Sequence, residues 1–218
     1  MQYPDFFDAV PRLRIRDPLA AFLGAANEGV LEYRYLDAVR LAGHSCPTVA
    51  GAFWLTRLAL GALYCTRMAV RGGVRVALRD RADNGVTGVV AAVVSLLTGA
   101  AAEGGFKGLG GQFERRGLLG FGAEQPFELR FTRADTGVAV DASVQLGQVP
   151  ADPDMAPLMR RCLTGEANAE TFQPMNVNFG LFPPIEGTLR GKERKQALSA
   201  RALHDFDAWL KPAPLAAE

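Results

Sequence analysis

The chain has 218 residues, with 24 Lys and Arg against 23 Asp and Glu, a formal net charge of +1 at pH 7. That balance offers no basic footprint for nucleic acid and no acidic tail. A hydrophobic content of 49% with 22% charged residues is ordinary for a water-soluble globular protein, which excludes a mainly disordered or fibrous chain. The length suits one sizeable domain, or one domain with a smaller appendage. We place an α+β core with a helical preamble in residues 1–150 and a helical extension packed on it in residues 151–218.

The start, Met1-Gln2-Tyr3-Pro4-Asp5, has neither a charged n-region nor an apolar h-region, so no signal peptide is expected. Residues 1–28 read as the helical preamble, with Asp17-Pro18 opening a short helix over Leu19–Ala26 that ends near Gly29. Val30 to Tyr35 alternates apolar with charged side chains and reads as a half-buried strand. Asp37 to Ala42 adds one or two helical turns.

Gly43-His44-Ser45-Cys46-Pro47 then forms a tight loop before a long apolar run. Pro47 fits a first helical position, where its missing N–H is no loss. Cys46 falls at or beside the N-cap, where unpaired N–H groups and the helix dipole stabilise a thiolate. A thiolate and the imidazole of His44 together suit a zinc-like divalent ion. Between Val49 and Leu63 only Thr56 and Arg57 are clearly polar, so this helix belongs in an interior or an interface.

Arg71-Gly72-Gly73 reads as a turn and Val74–Leu78 as a strand. Asp80, Asp83 and Asn84 form a polar loop whose last members cap a second apolar helix, Val86–Ala101. The charge-free window 84–102 approaches membrane-spanning length, yet its glycines, threonines and serine and its unflanked ends favour a buried core helix. Gly104 to Gly111 is a glycine-rich loop holding Lys107; it has no Walker spacing and follows a helix instead of a strand, which argues against a phosphate loop. Phe127–Thr132 and Val138–Leu146 form a hairpin turned by Thr136-Gly137. A helix over Asp154–Leu163, a surface loop over Thr171–Pro184 and a charged amphipathic helix over Lys192–Leu210 complete the chain. The expected fold is therefore α+β: a mainly antiparallel sheet packed around two long apolar helices, with extra C-terminal helices.

On Gly43, His44, Cys46 and Pro47 at the head of a long helix, the chain resembles the FmdE-like family of formylmethanofuran dehydrogenase components, over roughly residues 30–165. Thr48 replaces that family's usual Gly, and Asn84-Gly85-Val86-Thr87 stands where the family has Cys-x-x-Asp, with neither ligand retained. Lys107 answers to a loop lysine, and Arg133–Val140 to the family's hairpin. The resemblance implies a dimerising α+β fold with a bound divalent metal ion, zinc foremost. His44 and Cys46 would be its ligands, and Asn84 and Lys107 would contact a cofactor or substrate; no catalytic residue is assigned.

The remaining candidates reduce to packing. Cys65 lies 19 residues after Cys46, about 28 Å along an unbroken helix, so the two share neither a site nor a disulfide. Cys162, beside Arg160 and Arg161, reads as a half-buried structural thiol, and His204 as part of a solvated helix face. An odd number of cysteines without framework spacing fits a reducing cytoplasm. The leading expectation is a cytoplasmic homodimer with a metal or small-molecule pocket at the N-terminus of the central helix, without nucleic acid or membrane partners. The alternatives are a non-catalytic ligand-binding or assembly module with a degenerate site, and thiol chemistry at Cys46.

Overall fold

The computed structural model describes residues 3–4, 6–144, 155–166, 185–191 and 194–199. A short helix α1 (Phe6–Ala9) leads into strand β1 (Leu13–Arg16) and helix α2 (Pro18–Phe22). Leu13-Arg14-Ile15-Arg16 alternates buried and exposed side chains, so the preamble expected to be helical contains a strand. Asp17 starts α2: its Oδ1 accepts from the Leu19 N–H at 2.9 Å and the Ala20 N–H at 3.3 Å, with Pro18 at the first helical position.

Strand β2 (Val30–Tyr33) pairs antiparallel with β1, and β3 (Ala69–Val70) pairs parallel on its other side, giving a small sheet ordered β2-β1-β3. Between β2 and β3 lie helix α3 (Tyr35–Ala42), closed by Gly43 at φ +77°, and helix α4 (Pro47–Tyr64). The φ at Gly43 is left-handed, which glycine takes without the Cβ penalty.

The larger sheet has the order β5-β4-β6-β7-β8-β9, from β4 (Val74–Leu78), β5 (Leu119–Gly120), β6 (Leu129–Arg133), β7 (Ala139–Val144), β8 (Ile185–Gly191) and β9 (Arg194–Ser199). Among the described residues, only β4 and β5 pair in parallel there. The β6–β7 hairpin turns at Gly137, φ +72°, whose N–H donates to the Arg133 carbonyl at 2.9 Å. Helix α5 (Thr87–Thr98) packs against α4, and α6 (Met155–Leu163) follows β7 in sequence.

The α+β class stands. α4 runs 18 residues and α5 twelve, so the second apolar helix is shorter than the sequence suggests, ending at Gly99 with φ +72°. α4 forms the centre: Val49, Phe53, Leu55 and Leu60 are at most 1% exposed, in one core with Val93 and Leu97 of α5 and Phe131 and Val140 of the sheet. Its buried Thr56 returns its hydroxyl to the Ala52 carbonyl at 2.7 Å, so that donor is not stranded.

The C-terminal half departs from the sequence reading. The helix expected over Lys192–Leu210 is replaced, over Arg194–Ser199, by strand β9, in register with β8 from Gly191↔Arg194 to Glu186↔Ser199. A charged stretch with good helix formers is held as strand because it completes the backbone ladder of a neighbour, and such pairing overrides intrinsic propensity. Residues 200–210 of that expected helix, and the loop over Thr171–Pro184, lie outside the described residues. Among the described residues no helix is long and apolar enough to cross a membrane.

Candidate functional site

Two places in the structure bring polar groups together in ways local sequence does not announce: a pocket where α4 and α5 begin, and a buried ion cluster at the far end of α5.

The pocket lies between the first turns of both helices and the sheet. Pro47, Thr48, Gly51, Ala52 and Leu55 form its α4 wall; Val86, Thr87 and Val90 form the α5 wall; Leu78, Leu129 and Val144 close the back. It has room for about 100 Å³. Leu55, Leu78 and Leu129 are at most 2% exposed and make the floor, whereas Val86, 54% exposed, marks the mouth. Gly51 admits Val144: a Cβ at Gly51 would meet Val144 Cγ1 at 3.1 Å, tighter than ordinary packing, so strand and helix approach here because a side chain is missing.

The polar and acidic residues of the lining are Asp80, Glu128, Thr48 and Thr87. Glu128 is fixed by β7: its Oε2 accepts from the Val144 N–H at 2.9 Å, and its own N–H donates to Ser143 Oγ at 2.9 Å. Asp80 is partly exposed, with Oδ1 3.5 Å from Arg79 Nε, a solvent-screened contact. Both helices start without a side-chain cap, at Cys46 and at Val86.

His44 and Cys46 stand at this end of α4, and the described residues add no third ligand to them. His44 is exposed, and its Nδ1 lies 2.9 Å from the Ala42 carbonyl of the preceding turn. Cys46 is half-buried at the N-cap. Ser45 between them hydrogen-bonds Tyr35 Oη at 2.9 Å, and burial pushes the Tyr35 phenol up to about 12, that hydrogen bond pulling the other way. Among the described residues no group of three or more His, Cys, Asp or Glu side chains could hold a metal ion. Two ligands fall short of the three or four that zinc requires, so the expected zinc site is corrected.

Asn84 and Lys107 are likewise not gathered at one point. Asn84 is exposed; its carbonyl accepts from the Thr87 N–H at 3.1 Å, so it shapes the approach to α5 through backbone, and Val86 occupies the cap expected of it. Lys107 is exposed in the glycine-rich loop, and that loop is tied to the far end of α5: Phe106 O accepts from Arg115 N–H at 2.8 Å, and Arg115 O accepts from Ala101 N–H at 3.0 Å. The twelve residues of α5 span about 18 Å. That anchorage sets the loop carrying Lys107 at the end of α5 opposite the pocket and the His44 loop.

The ion cluster at that far end joins Asp17, Arg71 and Arg115. Asp17 is 3% exposed and takes Arg115 Nη2 on Oδ1 at 2.7 Å and Arg71 Nη1 on Oδ2 at 3.0 Å. Burial alone would raise its carboxyl; Arg71, Arg115 and the Ala20 and Leu19 amides outweigh burial and hold it below the usual carboxylate range. Arg71 also donates to the Leu96 carbonyl, covering the end of α5. The cluster welds α2, the turn after β3, α5 and the glycine-rich loop. Nothing in local sequence pairs these three residues, and the pocket carboxylates are equally silent, because Glu128 comes near Asp80 only through the β4–β6 register Leu78↔Leu129.

No family model matches the chain. Among curated proteins, part of it is 54% identical over 48 residues to the methylenetetrahydrofolate--tRNA-(uracil-5-)-methyltransferase TrmFO of Novosphingobium aromaticivorans, covering 22% of this chain and 10% of that protein. The TrmFO of Rhodospirillum rubrum is 51% identical over 67 residues, 26% of this chain and 14% of the enzyme. That of Geobacter sulfurreducens is 57% identical over 44 residues, 20% and 10%. The chain thus matches only 10–17% of the length of such relatives. These findings overturn the resemblance to the FmdE-like family, and with it the metal-binding function drawn from that family. The similarity they establish is to a stretch of tRNA methyltransferases.

Proposed function

We propose that this chain takes part in TrmFO-type methylation of tRNA, contributing the stretch it shares with those enzymes rather than the whole reaction. The observation that carries this reading is the identity itself: 46–57% maintained over 44–77 residues against TrmFO proteins from several bacteria. Identity at that level keeps about half of the side chains position by position, so the shared stretch would keep the same kind of contacts. The expectation from net charge, that no nucleic acid binds, gives way here: a +1 chain lacks a whole-molecule basic field, and a tRNA contact would be local. In this reading the chain works in the cytoplasm.

The test is retention of an unmodified tRNA transcript by the full chain, at about 50 and about 200 mM salt. Retention that weakens as salt rises supports the reading. No retention above an unrelated protein at the lower salt, together with no 5-methyluridine after incubation with methylenetetrahydrofolate and a TrmFO enzyme beyond what that enzyme makes alone, refutes it.

We also infer a homodimer, from apolar side chains left uncovered near the ion cluster. Phe22 is 67% exposed and Leu23 61%; Phe22 lies 5.4 Å, centroid to centroid, from Phe113, two residues past the glycine-rich loop, and Phe106 and Leu109 of that loop are 40% and 44% exposed. Large apolar side chains exposed around the Phe22–Phe113 contact are the kind of surface that association covers. Light scattering should give twice the chain mass for the native protein and a lower mass for Phe22→Ser; a monomer at every concentration removes the dimer.

A further inference from the structure

We propose that the pocket between α4, α5 and the sheet binds a small organic amine: a compact apolar body with one cationic or hydrogen-bond-donating amino group directed at Asp80 and Glu128. The volume sets the size. A water needs on the order of 10–15 Å³ by this measure, so about 100 Å³ holds a body of several heavy atoms. The walls set the body, since Ala52, Leu55, Leu78, Val90, Leu129 and Val144 offer only hydrocarbon.

The charge pattern sets the head group. Among the described residues, the pocket lining holds two acidic residues, Asp80 and Glu128, and no Lys or Arg. The uncapped starts of α4 and α5 would by themselves favour an anion, with about half an elementary charge at each end. Two carboxylates outweigh two such half-charges, leaving the pocket about one negative charge, which matches a monocation. Arg79 meets Asp80 at 3.5 Å with both side chains about two-fifths exposed, a weak solvent-screened contact that a bound amine can replace. Glu128 keeps one oxygen for the Val144 N–H, so its orientation is set before a ligand arrives and its second oxygen is the one an amine would meet. The proposal is independent of the tRNA reading; either can fail alone.

The experiment titrates the full chain with benzylamine, benzyl alcohol and benzoate, three probes of near-equal size, reading binding by calorimetry and melting temperature. Benzylamine should bind saturably, with the alcohol and benzoate at least about tenfold weaker, the usual worth of a charge-assisted hydrogen bond. Glu128→Gln keeps an acceptor for the Val144 N–H, and Asp80→Asn is at the exposed mouth, so both variants should fold; combined, they should bring amine and alcohol to equal affinity. Equal binding of amine and alcohol by the native chain, unchanged amine binding in the double variant, or no saturable benzylamine binding would each overturn the proposal.

Discussion

Arg115 Nη2 donates to Asp17 Oδ1 at 2.7 Å across 98 residues of sequence, and both side chains are at most 7% exposed. One guanidinium nitrogen of Arg115, Nη1, is buried with no hydrogen-bond partner among the described residues. A buried ion pair compensates the desolvation of its own members, and removing one member strands the rest.

Replacing Asp17 by Ala should therefore cost about 3–5 kcal/mol, because Arg115 and Arg71 lose their anion and α2 loses its cap. Urea denaturation monitored by circular dichroism measures it. A loss below about 1 kcal/mol would mean that water reaches the cluster freely.

Gly72 and Gly137 make a matched comparison. Both have left-handed φ, +79° and +72°, so Ala at either should cost about 1–2 kcal/mol from backbone strain. Only at Gly72 would the new Cβ meet another group, Arg115 Nη1 at 1.8 Å, whereas nothing lies within 4 Å of it at Gly137. Gly72→Ala should be clearly the more destabilising of the two. Equal melting temperatures would show that Arg115 is not fixed against that turn.

Acid should release the same cluster. The folded Asp17 carboxyl is held below its ordinary value, so its contribution to stability is complete above about pH 3.9 and fades as pH falls through the lower folded value. Stability measured from pH 7 to pH 2 for the native chain and for Asp17→Asn should differ by a constant amount at the upper end and converge at the lower. Parallel curves throughout would remove Asp17 from the acid transition.

Metal should be sub-stoichiometric in the purified chain and equal in a His44→Ala/Cys46→Ala double variant, by elemental analysis. Zinc at one equivalent in the native chain and none in the variant would restore a site that the described residues do not furnish.

The parts legible in the sequence are those governed by short-range physics. Pro47 after a capping position, the all-apolar run that follows, Val74–Leu78 and the Thr136-Gly137 turn each carry their own signal, and each element appears within a few residues of its expected bounds. Leu13-Arg14-Ile15-Arg16 carries one too, a strict alternation too short to stand out among helical neighbours. Arg194–Ser199 has none, since its conformation is decided by β8 alongside it. The site is the least legible. His44 and Cys46 are close in sequence and suggest a ligand pair, yet the acidic residues among those lining the cavity are Asp80 and Glu128, brought together by strand register. A carboxylate at a strand end looks the same in sequence whether it faces solvent or a pocket.

The pairing of β7 with β8 also bears on how the chain is made. Ala139 to Val144 is an interior strand only because Ile185–Gly191, more than forty positions later, lies along it. While the ribosome is still adding those residues, six consecutive backbone positions of the nascent sheet have an open edge, the arrangement most prone to pairing with a neighbouring polypeptide. Yield of correctly assembled protein should then depend on how quickly translation passes position 191, a kinetic demand that the finished molecule no longer displays.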